Sequence, residues 1–292
     1  DRVYMAGREP HLVLDQDDFS TLYPDRHFTI RHNLAGHPLL QLDRLQQLAR
    51  SLPPQLVRLR RANLSVSDPL AIAHPNGLSI DETFDRIETC QSLVQLDQVE
   101  LHPEYRDLLD RCIGEIKHVG ARRLPGMHMA IGHILISSPH GITPFHMDDD
   151  HNFLLQIQGE KRVHCWGADV PGIITFRDLE RYHHFGSADI EFRDALDDQR
   201  RSFTLTPGIG LHIPVHTAHW VNNGSQVCVS LAVTYHSRRV RREAAVHWLN
   251  SKLRARGLSP VPYTNSRVRD SLKYIAARGF RLAGELRNRA LR

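Results

Sequence analysis

The sequence lacks the features that mark disulfide-rich, zinc-ribbon and membrane-spanning proteins. Its 292 residues include only four cysteines, which lie far apart and form no CxxC pair, so we expect reduced thiols rather than disulfides or a zinc ribbon. No apolar run approaches the roughly 18 residues that span a bilayer, and no signal-peptide pattern opens the sequence. These absences predict a cytoplasmic protein without a membrane span.

The composition is that of an ordinary globular protein. Apolar residues make up 41% of the chain and charged residues 24%, as in typical soluble domains, and the length allows a sizeable core. The patterns described below predict three regions. Residues 1–125 form a helical and mixed region that packs on the core, residues 126–237 form a β-rich core, and residues 238–292 form a basic helical region.

The net charge of +4 conceals an asymmetry along the chain. Residues 238–292 contain fifteen Lys or Arg and three acidic residues, a net charge of +12, so the preceding residues carry −8. Such a basic block can bind nucleic acid, anionic lipid or an acidic protein surface. It can equally be the solvated side of helices, and this second interpretation is the one favoured by the sequence.

Three helical segments are predicted before residue 125. Leucines at helical spacing over residues 42–52 are followed by two prolines that end the helix. Residues 79–96 open with Ser79 and Glu82 in capping-box relation, and a third helix begins at Pro103 and ends before Gly120. None of them carries a chemical signature, so we interpret them as scaffold for a sheet.

A β-rich pattern begins near Gly126. Four segments, residues 127–138, 146–166, 202–215 and 221–235, are rich in Val, Ile, Leu, Phe and Thr and are separated by turn residues. Short strands at this spacing favour a sandwich or barrel. The polar insertion between them, residues 167–201, is predicted to be a loop with a short helix.

One motif in this β-rich region is suited to bind a metal ion. The run TPFHMDDDHNFLLQIQGEKR, from Thr143 to Arg162, sets His146 and Asp148 two residues apart, so on a strand both side chains would project from one face. Two histidines and one carboxylate with open positions are the ligand set of non-haem Fe(II) oxygenases. The second histidine would come from the later run LHIPVHTAHWV, in which three candidates compete: His212, His216 and His219.

Other histidines have simpler interpretations. The chain contains twenty histidines, and a lone histidine on a strand is more often a core residue than a ligand. Glu104, two residues after His102, lies at a predicted helix start, where an acidic residue complements the helix dipole. His183 and His184, in the polar insertion, are predicted to be an exposed loop pair.

These residues together resemble a known family. The pattern Thr143-Pro144-x-His146-x-Asp148-x-x-x-Asn152-Phe153, followed by Gln156-Ile157-x-Gly159-x-Lys161-Arg162, resembles the JmjC (cupin-like) Fe(II)/2-oxoglutarate oxygenases, and is closest to their asparaginyl-hydroxylase branch. The later run from Ile213 to His219 is similar to the family's Pro-x-x-x-x-His segment, which favours His219 over its rival His216. The match covers roughly residues 131–235.

The resemblance implies a fold and a set of site residues. The fold would be mainly β with flanking helices, around a double-stranded β-helix or jelly-roll core. The implied roles are Fe(II) ligands for His146, Asp148 and His219, binding of the distal carboxylate of 2-oxoglutarate by Lys161 with the hydroxyl of Thr143, and support of the co-substrate by Asn152.

The resemblance also implies an activity. The chain would use Fe(II), 2-oxoglutarate and O2 to hydroxylate an unactivated carbon of a protein side chain or small metabolite, releasing succinate and CO2. The alternatives are a JmjC N-methyl demethylase and a non-catalytic metal-binding cupin with a regulatory or nucleic-acid-binding role. Ala232 stands where the asparaginyl hydroxylases carry an asparagine on the last core strand.

The end of the chain is predicted to form two helices, over residues 240–253 and 266–291. The second carries a near-heptad apolar stripe, the pattern of a helix that packs against a partner; its members are Val268, Leu272, Ile275, Leu282 and Leu286. Because the resembling enzymes dimerise through C-terminal helices, we predict a homodimer.

Overall fold

The computed structural model describes residues 9–70, 74–120, 122–123, 125–186, 190–264 and 266–290, without the side chains of residue 196 and residues 283–290. The described helices are α1 (Gln16–Thr21), α2 (Leu42–Ser51), α3 (Ile80–Asp85), α4 (Pro103–Gly120), α5 (Phe176–Phe185), α6 (Arg238–Arg254) and α7 (Arg269–Ala290). The described strands are β1 (Leu12–Val13), β2 (Phe28–His32), β3 (Val57–Arg61), β4 (Ser92–Leu96), β5 (His128–Ser137), β6 (Ile142–His146), β7 (His151–Gln158), β8 (Lys161–Cys165), β9 (Arg201–Leu205), β10 (Ile209–Ile213), β11 (His219–Asn223) and β12 (Cys228–His236). In this part of the chain, every helix is too short or too polar to cross a bilayer.

The strands form two antiparallel sheets. The larger has the order β1-β2-β10-β7-β12-β5-β4-β3, and the smaller has the order β6-β11-β8-β9. Apolar side chains of both sheets meet in one cluster, which includes Leu154, Leu211 and Ala232 from the large sheet and Val163, Leu205 and Val221 from the small one. The predicted jelly-roll core with flanking helices is confirmed.

The large sheet buries both of its faces, since successive side chains on a strand point to opposite sides. On β7, Leu154 faces the small sheet, whereas Phe153 and Leu155 face the N-terminal helices. The second face packs on α1, α2 and α4 through residues such as Phe19 and Leu45. These helices therefore cover the outer face of the large sheet. A site can form on its inner face, which is turned toward the small sheet.

The N-terminal region contains more strand than the sequence suggested. The predicted helix over residues 79–96 is wrong beyond its first turns, because α3 ends at Asp85 and residues 92–96 form β4. On β4, Ser92, Val94 and Leu96 are buried in alternation, and the strand is hydrogen-bonded between β3 and β5. The hydrogen bonds of β4 to strands on both sides stabilise an extended conformation, although the apolar residues of this segment are spaced as in a helix.

Other predicted elements agree closely with the structure. The capping box of Ser79 and Glu82 is present at the start of α3, and helices predicted over residues 42–52 and 103–119 correspond to α2 and α4. The insertion contains the short helix α5. The division of the chain at residues 125 and 237 stays a prediction, and β1 to β4 join the core strands in one sheet.

The turn between β7 and β8 fixes the position of Lys161. Gly159 has φ +69°, and a Cβ there would lie 2.5 Å from the carbonyl oxygen of Val227. Only glycine accommodates both the left-handed conformation and this close approach. The tight turn lets β8 begin at Lys161, which pairs with Asn223 of β11.

Candidate metal centre

His146 and His219 face each other across neighbouring strands of the small sheet. His146 ends β6 and His219 begins β11, and the two residues are direct partners in the antiparallel register. Their ring centroids are 4.1 Å apart. The pairing of two strands that lie far apart in sequence therefore supplies two imidazoles to one point.

Asp148 completes a three-residue group at this point. Its Oδ2 lies 3.7 Å from Nε2 of His219, and one ligand atom from each of the three residues lies within 4.8 Å of the others. Asp148 follows the end of β6 rather than lying on it, so the expectation that both residues of the His-x-Asp motif share a strand face is wrong. The chain turns after His146, and the carboxylate converges on the same point from this turn.

Hydrogen bonds to backbone carbonyls orient both imidazoles. Nδ1 of His146 lies 2.8 Å from the carbonyl oxygen of Pro144, and Nδ1 of His219 lies 2.9 Å from that of Thr217. A carbonyl oxygen only accepts, so each Nδ1 carries the proton and each Nε2 keeps its lone pair. This is the arrangement in which a histidine coordinates a metal through Nε2.

The surroundings of the group favour neutral imidazole. His219 is buried, and burial lowers its pKa from 6.5 to about 4, assisted by the charge of His146 and opposed by that of Asp148. The side chain of Asp148 is 41% exposed. His219 is therefore neutral at neutral pH and presents a nitrogen lone pair beside the carboxylate of Asp148.

The two competing histidines lie elsewhere. His212, on β10, is buried, with its ring centroid 4.9 Å from that of Phe28 and 4.8 Å from that of Phe153. His216 has φ +56°, and its Nε2 lies 3.0 Å from Nε2 of His183. The structure therefore brings His219 into the three-residue group with His146 and Asp148, and neither of its rivals.

The prediction that His183 and His184 form an exposed loop pair is wrong. Both lie on α5 and are partly buried. His184 Nδ1 lies 2.6 Å from the hydroxyl of Ser251 on α6, and His183 stacks on His247 of the same helix. The amphipathic helix α5 packs against α6, which places these imidazoles between the two helices.

Lys161 is buried at the other end of the small sheet. It is 3% exposed and forms no ion pair with any described residue. Burial lowers its pKa from 10.5 to about 8, and the neighbouring Cys228 opposes this shift. An ammonium group without an anion is costly in the interior, so this position is suited to receive an acidic ligand.

A cavity of about 430 Å³ adjoins the three-residue group. His146 and Asp148 line it, together with Thr143 and Asn152. Asn152 is 8% exposed, and its Oδ1 is buried without a hydrogen-bond partner among the described residues. The predicted site residues Thr143 and Asn152 thus share a cavity with two of the metal-ligand candidates.

Sequence reasoning missed one wall of this cavity. Side chains from the N-terminal region, from β5 and from the insertion helix line it, namely Arg58, Arg60, Gln95, Asp97, His133 and Tyr182. Alternation in residues 57–61 (VRLRR) and 92–97 (SLVQLD) carried a usable strand signal. The helical interpretation of residues 79–96 concealed it.

Neither a protein-family model nor a curated protein matches the chain. Among solved structures, the crystal structure of Escherichia coli YcfD is similar over 92% of this chain and 68% of that chain, with 15% identity and a TM-score of 0.53. A structure described as YcfD, a ribosomal oxygenase from the same organism, shares 18% identity over 89% of this chain with a TM-score of 0.49. A complex of YcfD with cobalt and 2-oxoglutarate has 17% identity, 89% coverage and a TM-score of 0.49.

The chain spans 61% of the length of the last two structures. At these identities the likeness concerns the fold, which this chain shares with the YcfD crystal structure.

Proposed function

We propose that the chain is an Fe(II)- and 2-oxoglutarate-dependent oxygenase that hydroxylates an unactivated carbon of a protein side chain or small metabolite. The observation that carries this proposal is the convergence of one ligand atom each from His146, Asp148 and His219, all within 4.8 Å of one another. Two imidazoles and one carboxylate suit Fe(II) and leave coordination positions for other ligands. The fold shared with YcfD, described as a ribosomal oxygenase, supports the proposal.

The residues beyond the three metal ligands fit 2-oxoglutarate. Lys161 supplies a buried ammonium group for the distal carboxylate, as a charge-assisted partner. The hydroxyl of Thr143 adds a donor, and the unpaired amide group of Asn152 lies in the same cavity. A bound dicarboxylate would give the buried ammonium group of Lys161 the anion that it lacks among the described residues.

The protein residues orient and protect the reacting groups. When bound, iron and 2-oxoglutarate supply the activation of O2 that oxidation of an unactivated carbon requires. The carbonyl groups of Pro144 and Thr217 accept hydrogen bonds from the two imidazoles and so fix the orientation of both rings. The apolar layer formed by Val163, Val221 and Ala232 excludes water from the space between the sheets.

Conversion of 2-oxoglutarate to succinate tests the proposed function. Anaerobically Fe(II)-loaded protein, mixed with 2-oxoglutarate and then exposed to O2, should form succinate, and cell extract supplied as a substrate source should increase the rate. Binding of 2-oxoglutarate is measured separately by calorimetry. A protein that binds iron but neither binds nor consumes 2-oxoglutarate would be a non-catalytic cupin instead.

We also propose that the chain forms a homodimer through α7. One face of α7 packs on α6 through Tyr274 and Ala277. The helix also exposes Leu272, Ile275 and Leu282, and Val268 is exposed just before it; these four apolar side chains are 58–73% accessible. Leu286, the last residue of the predicted stripe, lies outside the described side chains.

Light scattering coupled to size-exclusion chromatography tests the dimer. The full chain should have twice the mass of the monomer, and Leu272→Glu with Ile275→Glu should give a monomer, because two charges would be buried in the interface. Ala276→Glu, on the same helix, is the matched control. A full-length chain that is already monomeric would overturn this proposal.

A further inference from the structure

The cavity beside the candidate metal centre has a charged wall that the proposed chemistry does not use. Arg58 and Arg60 lie on β3, the edge strand of the large sheet, and both line the cavity. They are two residues apart, so they share a face of the strand. The residues between and before them, Leu59 and Val57, pack instead on the N-terminal core.

Asp97 neutralises one of these two arginines. Its Oδ2 lies 2.8 Å from Nε of Arg58, and its Oδ1 lies 2.7 Å from Nδ1 of His133 and 2.8 Å from the amide of Gln95. Burial raises the pKa of Asp97, but the hydrogen bond and charge of His133 and the charge of Arg58 outweigh it, so the pKa falls below its ordinary value. The carboxylate is ionised, its Oδ1 is hydrogen-bonded, and its Oδ2 is ion-paired with Arg58 without accepting a hydrogen bond from a described residue.

Arg60 is left without a counter-charge. It is half-buried, and its guanidinium forms no ion pair or hydrogen bond with any residue that the structure describes. Burial and the nearby charge of Arg58 lower its pKa, while the more distant Asp97 opposes this. An arginine partly removed from water, with five donors and no acceptor, is a strong site for a carboxylate.

The acidic residues of the cavity define how a negatively charged substrate would be oriented. Asp149 lines the same cavity as His146, whereas the two arginines lie on β3. A carboxylate of a primary substrate would be repelled by Asp149, which is not a candidate metal ligand, and attracted to β3. A substrate with one anionic group would therefore present a carbon remote from that group to the metal.

We propose that Arg60 is the anion-binding residue of the substrate cavity, and that the primary substrate carries a carboxylate held there while a remote carbon is oxidised. This inference rests on the proposed function: 2-oxoglutarate takes the part of the cavity near Thr143 and Asn152, and the part near β3 is left for the primary substrate. The carboxylate can belong to a small free acid or to an acidic side chain of a peptide. The two sources share the same chemistry at Arg60.

Matched acid and amide probes test this subsite. The full chain is loaded with Zn(II), which does not activate O2, and is saturated with 2-oxoglutarate so that the co-substrate position is filled. Binding of benzoate and of benzamide is then measured by ligand-observed NMR titration. The same titration is done with N-acetyl-glutamate methylamide and N-acetyl-glutamine methylamide, which represent an acidic and a neutral peptide side chain.

We expect at least one acid to bind at least about tenfold more tightly than its amide, because one charge-assisted hydrogen-bonded pair contributes about that much to affinity. Arg60→Gln should remove this preference, and Arg60→Lys should restore part of it. Arg61→Gln is the matched control, because Arg61 is the next residue of β3 and is exposed. A preference for benzoate indicates free acids, and a preference for the glutamate probe indicates peptides.

Two results overturn the inference. One is that neither acid is preferred over its amide, and the other is that the preference survives Arg60→Gln. An unchanged affinity for 2-oxoglutarate shows that the variant is folded. Failure of the unsubstituted, Zn(II)-loaded chain to bind 2-oxoglutarate would count against the proposed function, which separates the two failures.

Discussion

Two clusters of histidine and carboxylate lie close together in this protein, and they differ in what their nitrogens face. In the candidate metal centre, the Nδ1 atoms of His146 and His219 are hydrogen-bonded to backbone carbonyls, so both Nε2 atoms keep their lone pairs, and that of His219 lies 3.7 Å from Oδ2 of Asp148. In the second cluster, between α5, α6 and the turn before β11, imidazoles and one carboxylate face one another; its members are His183, His216, His247 and Glu243.

The polar atoms of the second cluster lie near one another, although neither ring nitrogen of His247 has a hydrogen-bond partner among the described residues. Nε2 of His183 lies 3.0 Å from Nε2 of His216, and one oxygen of Glu243 lies 3.6 Å from nitrogens of both His216 and His247. The difference shows that histidine content alone does not make a metal site. Backbone acceptors that fix the tautomer, and a carboxylate that is not already shared, decide which cluster can coordinate.

The second cluster also supports the first. The backbone N–H of His216 donates to the carbonyl oxygen of Asp148 at 2.8 Å, and His216 holds an uncommon left-handed conformation. We interpret His216 as a residue that positions the turn carrying Asp148, rather than as a ligand.

The largest expected effect is a loss of metal affinity, which distinguishes the candidate metal centre from the second cluster. Asp148→Ala and His219→Ala should each lower the affinity for Fe(II) or Co(II) by more than about 100-fold, since even indirect partners of ligands contribute 10- to 100-fold. His216→Ala and His212→Ala should lower it by less than about tenfold. The affinities are measured by anaerobic calorimetry, and a metal lost on His216→Ala alone would show that the ligand assignment is wrong.

The second effect concerns the co-substrate. Lys161→Met should weaken binding of 2-oxoglutarate by about 30-fold or more, because the buried carboxylate loses its charged partner. Metal affinity should remain unchanged. Arg162→Gln, on the next and outward-facing position of β8, is the matched control. An unchanged affinity for 2-oxoglutarate in Lys161→Met would remove the proposed role of this lysine.

The third effect concerns the second cluster and acid stability. Burial, followed by the charges of His216 and His247, lowers the pKa of His183 from 6.5 to about 3. Between these values the unfolded chain binds a proton that the folded chain does not, so the free energy of unfolding falls as the pH falls. This residue should contribute about 1.4 kcal/mol per pH unit within that window.

Glu243 acts in the same direction at lower pH. Burial raises its pKa, but hydrogen bonds and charges of His216 and His247 outweigh burial and hold it well below 4.5. Its contribution to stability is present above pH 4.5 and is lost as the pH falls through its pKa in the folded protein.

Urea unfolding of the metal-free chain from pH 7 to pH 4 measures these contributions. His183→Asn should reduce the pH dependence by about one proton. His118→Asn, at an exposed position of α4, should leave it unchanged. An equal pH dependence in both variants would contradict a buried, neutral His183.

The metal motif could be read from sequence because its signal is local and its spacing is specific. His146 and Asp148 are two residues apart, and the segment before His219 has its own pattern, so both halves of the site were visible. The apolar runs also identified the core strands. The placement of Asp148 off the strand could not be read, because the end of β6 depends on its pairing with β11.

The substrate wall could not be predicted, for a different physical reason. Arg58, Arg60 and His133 come together only because β3, β4 and β5 are neighbours in one sheet. A strand order between distant segments is not encoded in local spacing. The wrong prediction that His183 is exposed has a similar cause, because its partner His247 on α6 lies more than 60 residues away in sequence.

The most direct test of the metal assignment is the position of the metal itself. A crystal of the full chain, grown anaerobically with Fe(II) and 2-oxoglutarate, would be measured at the iron absorption edge. The predicted result is one anomalous peak between His146, Asp148 and His219, with a dicarboxylate extending to Lys161. A peak at His183, His216 and His247 instead, or a dicarboxylate that does not approach Lys161, would contradict the assignment.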